Sequence, residues 1–143
     1  MSMGFNLEQI LEKERVWIAT SRASRGESAP HDDLVGLALS GGGARSATFA
    51  LGVLRGLARA GVFDRIDYVS GVSEGCYITG WLTTWIRRAS IEQVEEGLRG
   101  TPGAESPQIQ RWRQSVSRAA DDNRIAAPGI ALVPFIQFAG TQS

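Results

Sequence analysis

The order of apolar and polar positions predicts that helices and short strands alternate along this chain. Residues 5–20 have apolar side chains near helical spacing, and Asn6 with Gln9 three residues later is a typical helix start. Polar residues, glycine and proline over 21–33 indicate a surface linker. The almost wholly apolar run Leu34–Leu39 is typical of a strand that is buried on both faces, as in parallel sheets.

The next segments repeat this alternation. Apolar side chains recur on one side of the segment that ends at Ala60, which predicts a helix with Gly61 as its C-cap. Ile66–Ser70 is a second predicted strand, and a tight turn leads from it into a strongly apolar helix over 77–86. The order strand, glycine loop, helix, strand, turn, helix is a βαβα unit. It predicts an α/β fold with parallel strands and a right-handed crossover.

The pattern is weaker in the C-terminal third. Ser90 with Gln93 predicts a capping box at the start of a short polar helix, and Pro107 suits the first turn of a further helix. The apolar segment 125–139 contains two prolines and is too short and too interrupted for a membrane span. Packing into a core and the beginning of an unfinished membrane segment both remain open for it.

Composition and charge narrow the classes of function. A chain of 143 residues fits one domain, and 43% hydrophobic with 21% charged residues is typical of a globular protein. Fifteen basic and fifteen acidic side chains cancel, which argues against a nucleic-acid partner. Cys76 is the only cysteine and His31 the only histidine, so the usual ligand sets of zinc are missing. We expect no metal site and no cofactor.

A serine between two glycines is the first candidate for chemistry. Gly71, Ser73 and Gly75 form the Gly-x-Ser-x-Gly pattern of a nucleophile elbow, between a predicted strand and a predicted helix as the motif requires. The glycines leave room for a sharp turn and for close approach of helix and strand. The Ser73 hydroxyl would then stand at a helix N-terminus, where backbone amides favour a developing negative charge. A tight turn with an incidental serine is the alternative.

Three consecutive glycines after the first predicted strand are the second candidate. Successive N–H groups of Gly41, Gly42 and Gly43 can point at one anionic oxygen, and beside a serine nucleophile such a loop is an oxyanion hole. Arg45 either holds the loop in shape or adds positive charge for an anionic head group. A dinucleotide site is disfavoured because no carboxylate follows at the end of the second strand. A phosphate loop is disfavoured because the segment lacks lysine.

Exclusion reduces the residue types that could serve as the base that activates the serine. In the usual elbow-type hydrolases an acid and then a histidine follow the serine along the chain. No histidine follows Ser73, and His31 lies in the linker. We therefore expect a carboxylate to serve as the base in a serine–aspartate dyad.

Together the two motifs resemble the start of a patatin-like phospholipase, and the resemblance covers residues 34–88. Members of that family are lipid acyl hydrolases with an α/β/α fold and a Ser–Asp dyad. The resemblance implies a partial three-layer α/β/α fold with a parallel βαβα core and a lipid or acyl-ester substrate. It also implies that Ser73 is the nucleophile, that the three glycines form the oxyanion hole and that Arg45 is the family's basic residue.

Three features depart from the family's pattern. Ser46 stands where the family often has glycine, and Glu74 stands where a small residue is usual. The Glu74 N–H can still serve the oxyanion, but the charge of its side chain opposes it. The family's catalytic aspartate belongs to an Asp-Gly pair, and this sequence has no such pair. Asp121 and Asp122 are the only aspartates after the serine, and their neighbours lack the small residues of that site.

The missing aspartate affects which domain boundaries we expect in the chain. The simplest account is that residues 34–143 are the N-terminal part of a longer patatin-like domain, preceded by a helix and linker over 1–33. Because a general base is commonly worth about 10²–10⁴-fold in rate, we expect this chain alone to be inactive or very slow.

A non-catalytic module that associates with a membrane or a partner and retains the front half of the fold is the alternative function. Trp81, Trp85 and the apolar segment 125–139 motivate it, although the spacing of the tryptophans favours a buried helix face. The first residues contain neither a charged leader nor an apolar stretch. We therefore expect a cytoplasmic protein. Peripheral contact with a membrane and anchoring at a membrane are both left open.

Overall fold

The computed structural model of the chain describes residues 6–24, 26 and 33–121. Its elements are the helix α1 (Leu7–Ser24), the strand β1 (Gly36–Leu39), the helix α2 (Ala44–Ala60), a 3₁₀ turn (Phe63–Arg65), the strand β2 (Tyr68–Gly71) and the helices α3 (Glu74–Ile86), α4 (Ile91–Arg99) and α5 (Pro107–Asp121). His31, Asp122 and the apolar segment 125–139 lie outside the described residues, and so do the side chains of residues 24 and 119–121.

The two strands form a parallel pair. Leu37 lies opposite Val69, and Leu39 lies opposite Gly71. Helix α2 connects the strands and α3 follows the second one, so the predicted βαβα order is confirmed as a partial α/β fold. Parallel strands present their carboxyl ends at the same edge, which is where both loops of interest begin.

Strand β1 is buried on one face, and the prediction that both faces are buried is wrong for the described residues. Leu39 is buried and Leu37 is partly buried, whereas Gly36 and Ala38 are exposed. Alternate residues of a strand point to opposite faces, and the apolar core lies on the Leu37 and Leu39 side. An apolar run indicates a strand, but it does not reveal how many faces other elements cover.

One apolar core joins the inner face of the sheet to helices α2, α3, α4 and α5. Each helix contributes side chains at helical spacing, as expected for helices with one apolar face. Seven of these side chains are fully inaccessible to solvent, namely Leu54, Ala58, Ile78, Leu82, Val94, Leu98 and Ile109. The core therefore forms between helices as much as between helix and sheet.

Local signals in the sequence set the ends of two helices. Gly61 has φ 67°, the left-handed conformation that glycine adopts most readily, and closes α2 as predicted. At the start of α4 the predicted capping box is present, since Gln93 N–H donates to Ser90 Oγ and Ser90 N–H donates to Gln93 Oε1. None of the described helices combines the length and apolarity that crossing a bilayer requires.

A buried ion pair that no pattern along the chain predicts ties α1 to the sheet. Arg22 Nε donates to Asp67 Oδ1 at 2.9 Å, and Arg22 Nη2 pairs with Asp67 Oδ2. The backbone N–H of Val35 also donates to Asp67 Oδ2, at 2.8 Å. Asp67 is 2% exposed and Arg22 is 5% exposed. The pair is therefore shielded from water, and its two charges depend on each other.

Replacing Asp67 by alanine is expected to lower the free energy of unfolding by about 3–5 kcal/mol, because it leaves the buried Arg22 guanidinium without its counter-charge. The matched control is Glu95→Ala, which removes the i,i+4 partner of the half-exposed Arg99 and is expected to cost less than about 1 kcal/mol. Urea denaturation followed by circular dichroism measures both. Equal losses in the two variants would contradict a special role for the buried pair.

Candidate active site

The two glycine-containing loops meet at the carboxyl ends of β1 and β2. A Cβ atom built on Gly41 would lie 2.6 Å from Ser73 Cβ and 3.0 Å from the carbonyl oxygen of Val72. The backbone of the first loop thus passes directly against the turn at Ser73. The glycines at 41–43 and Ser73, which the sequence analysis singled out, are therefore neighbours in the fold, while the roles assigned to them stay predictions.

Ser73 occupies a strained turn between β2 and α3. Its backbone has φ 56° and ψ −122°, and it is the one non-glycine residue with positive φ in the described part of the chain. A non-glycine residue in such a region commonly costs on the order of 1–3 kcal/mol and persists only where its surroundings hold it. The residue is half-buried, so the packed interior does not enclose its side chain.

The glycines on either side of Ser73 permit that turn. A Cβ on Gly75 would lie 2.3 Å from the carbonyl oxygen of Leu39, and a Cβ on Gly71 would lie 2.5 Å from the carbonyl group of Gly75. Real Cβ atoms do not approach backbone atoms this closely. The first turn of α3 therefore packs on the end of β1 at a distance that only glycine tolerates.

Arg45 stands apart from this contact. It lies in the first turn of α2 with an exposed side chain. That side chain makes no hydrogen bond or ion pair with any residue that the structure describes. Of the two roles considered for Arg45, holding the glycine loop in shape therefore finds no support in the described contacts. Attraction of an anionic head group stays a prediction.

The side chain of Glu74 fills the space between the two loops. Ser73 Oγ donates to Glu74 Oε2 at 2.6 Å, and the Gly42 N–H donates to the same oxygen at 3.1 Å. The hydrogen bond from Ser73, followed by that from Gly42, lowers the pKa of the Glu74 carboxyl from 4.5 to about 2. Glu74 is 9% exposed, so this carboxylate is both ionised and largely covered.

The Gly42 N–H of the glycine loop donates to a carboxylate oxygen in this arrangement. A carboxylate oxygen beside the serine hydroxyl accepts a backbone N–H of the loop, as the oxygen of a tetrahedral acyl intermediate would. From the sequence, the Glu74 charge was expected to oppose the oxyanion, but its hydrogen bond with the glycine loop was not expected. The feature of the sequence that pointed to this arrangement was the acidic residue directly after the serine. The sequence does not indicate the direction of that side chain.

The described residues offer Ser73 no other acidic partner. Glu74 is the one carboxylate that hydrogen-bonds its hydroxyl within the described part of the chain. The aspartates 121 and 122 have no described side chains, so their distance from Ser73 is untested. Among the described residues, no three acidic, histidine or cysteine side chains come close enough together to hold a metal ion.

An apolar groove of about 520 Å³ extends from Glu74 along α3 and α5, and we call it the tryptophan groove. Its size is ordinary for a small-molecule site. The ring of Trp81 lies 5.1 Å from that of Trp85 and 5.7 Å from that of Trp112, measured between centroids. The groove was not foreseen, because Trp112 comes from a helix that the predicted site did not include. The other side chains that line it include Tyr77 on α3 and Val116 on α5.

A parallel α/β unit with a strained serine at a strand-to-helix turn is the arrangement typical of α/β hydrolases. Residues 37–124, more than half of the chain, match the family model described as Patatin-like phospholipase. The chain therefore belongs to the patatin-like phospholipase family, whose members act on lipids, and the predicted family is confirmed. The match extends past 34–88 through α4 and α5. No curated protein and no solved structure matches the chain.

Replacing Gly75 by alanine is expected to lower the free energy of unfolding by about 1–3 kcal/mol, because the new methyl group overlaps the carbonyl oxygen of Leu39. Gly80→Ala on the same helix is the control. Nothing lies within 4 Å of the position where its Cβ would be, so this variant is expected to stabilise α3 by up to about 1 kcal/mol. Thermal or urea unfolding distinguishes the two, and a neutral Gly75→Ala would contradict the close packing.

Proposed function

We propose that this protein is a serine lipid acyl hydrolase in which Ser73 is the nucleophile and the loop 41–43 stabilises the oxyanion. The observation that carries the proposal is the contact between the two loops. Ser73 is held in a strained turn, and the Gly42 N–H points to an oxygen that also accepts the Ser73 hydroxyl. Membership of a family that acts on lipids supports the choice of substrate.

The proposed reaction has two steps. Ser73 Oγ attacks the carbonyl carbon of a lipid ester, its proton passes to a base, and the carbonyl oxygen becomes an oxyanion that accepts the Gly42 N–H. Collapse of this intermediate releases the alcohol and leaves an acyl-serine. Water then attacks the acyl carbon, and the fatty acid leaves as the Ser73 hydroxyl is restored. The strained turn fixes the hydroxyl beside the amides before the substrate arrives.

The base is the part of this mechanism that the sequence lacks. In the family's dyad it is the aspartate of an Asp-Gly pair, and no such pair occurs among these 143 residues. Serine has a high intrinsic pKa, and without general-base assistance we expect a rate lower by about 10²–10⁴-fold. Slow turnover by the chain alone is therefore part of the proposal.

The tryptophan groove supports an acyl chain as the group that lies next to the ester. It begins at Glu74, beside Ser73, and four aromatic side chains contribute to its lining. A substrate ester held at Ser73 would therefore extend its apolar chain between α3 and α5. The exposed Arg45, at the start of α2, would face the head group. We propose a cytoplasmic protein that contacts membranes peripherally to reach this substrate.

A non-catalytic module that associates with membranes is the second candidate, and exposed apolar side chains on α1 favour it. Leu7, Ile10 and Leu11 are 68%, 41% and 43% exposed, at a spacing that puts them on one side of the helix. The tryptophans that first motivated this candidate do not support it, because Trp85 is 8% exposed and Trp81 is partly buried against the same core. Reactivity of Ser73 separates the two candidates.

Ser73→Ala is expected to abolish covalent labelling by a long-chain alkyl fluorophosphonate, because the phosphonyl group has no hydroxyl to join. Mass spectrometry of the labelled protein measures this and locates the adduct. Ser117→Ala, on the exposed part of α5, is the control and is expected to label like the unchanged protein. Labelling that persists in Ser73→Ala would refute the assignment of the nucleophile, and a chain that binds vesicles but never labels would favour the second candidate.

A bulky side chain in the tryptophan groove is expected to slow labelling by a long-chain reagent but not by a short-chain one. Thr84 lines the groove with an exposed side chain, so Thr84→Trp should slow labelling by a hexadecyl fluorophosphonate about tenfold and leave labelling by an ethyl fluorophosphonate unchanged. The loss corresponds to about 1.4 kcal/mol of apolar contact. Ser117→Trp adds the same ring outside the lining and is the control. Equal effects on both reagents would contradict an acyl chain in this groove.

A further inference from the structure

We propose that Glu74 is an internal ligand of the oxyanion hole. In the resting protein its carboxylate holds the place of the acyl oxyanion and keeps other carboxylates out, including the fatty acid that hydrolysis releases. An ester must displace it before Ser73 reacts. The inference rests on the proposed function, because it takes Ser73 as the nucleophile and the glycine loop as the hole.

Two hydrogen bonds and the close approach of Gly41 define the carboxylate as a ligand. Oε2 of Glu74 accepts the hydroxyl of Ser73 at 2.6 Å and the N–H of Gly42 at 3.1 Å. A Cβ on Gly41 would lie 3.1 Å from the same oxygen, so the glycine loop closes around it without room for a side chain. An anionic oxygen surrounded by these groups has the charge and the donors that an acyl oxyanion would have.

The same geometry argues against Glu74 as the base for Ser73. A base must accept the serine proton while the hole stays empty for the oxyanion, but here one oxygen does both. Its hydrogen bonds also hold the pKa of the carboxyl at about 2, which makes it a weak proton acceptor near neutral pH. Glu74 must leave the Gly42 amide before that amide can bind the substrate oxygen.

Protonation of the Glu74 carboxyl does not release it from the Gly42 N–H near neutral pH. The carboxyl pKa is lower in the folded protein than its ordinary value of 4.5, so the contact is fully present above that pH and is lost only as the pH falls toward about 2. Near neutral pH the carboxylate stays ionised and bound. Displacement therefore has to come from a competing ligand, and an ester that fills the adjoining tryptophan groove has the binding free energy to compete.

The experiment measures the rate at which an alkyl fluorophosphonate labels Ser73. In that reaction the O–P bond forms as the P–F bond breaks, fluoride leaves and the hydroxyl proton goes to solvent. Glu74→Ala is expected to label about ten- to hundredfold faster than the unchanged protein, as loss of hydrogen bonds to a charged group implies. The labelling rate of Glu74→Gln is expected to lie between those of Glu74→Ala and the unchanged protein. Its amide oxygen can still accept a hydrogen bond from the Gly42 N–H, but it carries no charge. Glu96→Ala, exposed on α4, is the control.

A second readout tests the exclusion of carboxylates. Sodium hexanoate is expected to slow the labelling of Glu74→Ala in a saturable manner, because the vacated hole accepts the added carboxylate. It is expected to leave the unchanged protein and Glu96→Ala unaffected. A change that merely loosened the loop would raise or lower the labelling rate without creating this competition.

Slower labelling of both Glu74 variants would overturn the proposal and make Glu74 the base. Unchanged rates, or faster rates without inhibition by hexanoate, would also overturn it. Glu74→Gln preserves the size of the side chain, so it decides the matter if circular dichroism shows that Glu74→Ala is unfolded. Labelling of Ser73→Ala is a separate result, which would refute the proposed function rather than the role of Glu74.

Discussion

The close packing of the first turn of α3 against the end of β1 is the constraint on which the site depends. Gly75 lies against the carbonyl oxygen of Leu39 at a distance that excludes any side chain. A chain that leaves β2 and starts a helix this close to its neighbouring strand has to turn sharply, and Ser73 takes the positive φ that the turn needs. The same closeness sets Ser73 against Gly41. Packing of the backbone thus places a hydroxyl beside the glycine loop before any chemistry is involved.

Electrostatics then explains why an acidic residue is stable in this position. Helices α2 and α3 both begin at the site, and their first N–H groups lack partners within the helix, so they favour an anion. Glu74 supplies that anion from the chain itself, and the low pKa of its carboxyl reflects the donors around it. A resting site that is already neutralised has little attraction for a second anion, which links the stability of the loop to the selectivity that we propose.

The tryptophan groove connects the end of the fold that carries Ser73 to its helical half. One face of α3 packs into the core through side chains such as Ile78 and Leu82, whereas Trp81 packs against Trp112 on α5. The groove therefore exists only because α5 returns alongside α3, beyond the segment that carries the two motifs. The groove and the turn at Ser73 thus depend on different parts of the chain, which α3 joins.

Local sequence alone determined the features that depend on residues a few positions apart. These are the order of strands and helices, the glycine end of α2, the capping box of α4 and the place of Ser73 between strand and helix. Tertiary structure decided the rest, because it brings together residues far apart in the chain. It paired Arg22 with Asp67 across 45 positions, left one face of β1 exposed and turned the Glu74 carboxylate to the Gly42 amide. No periodicity encodes where a side chain points when its partners lie on another loop. The sequence therefore shows that an acidic residue follows Ser73, but not that its carboxylate reaches the Gly42 N–H.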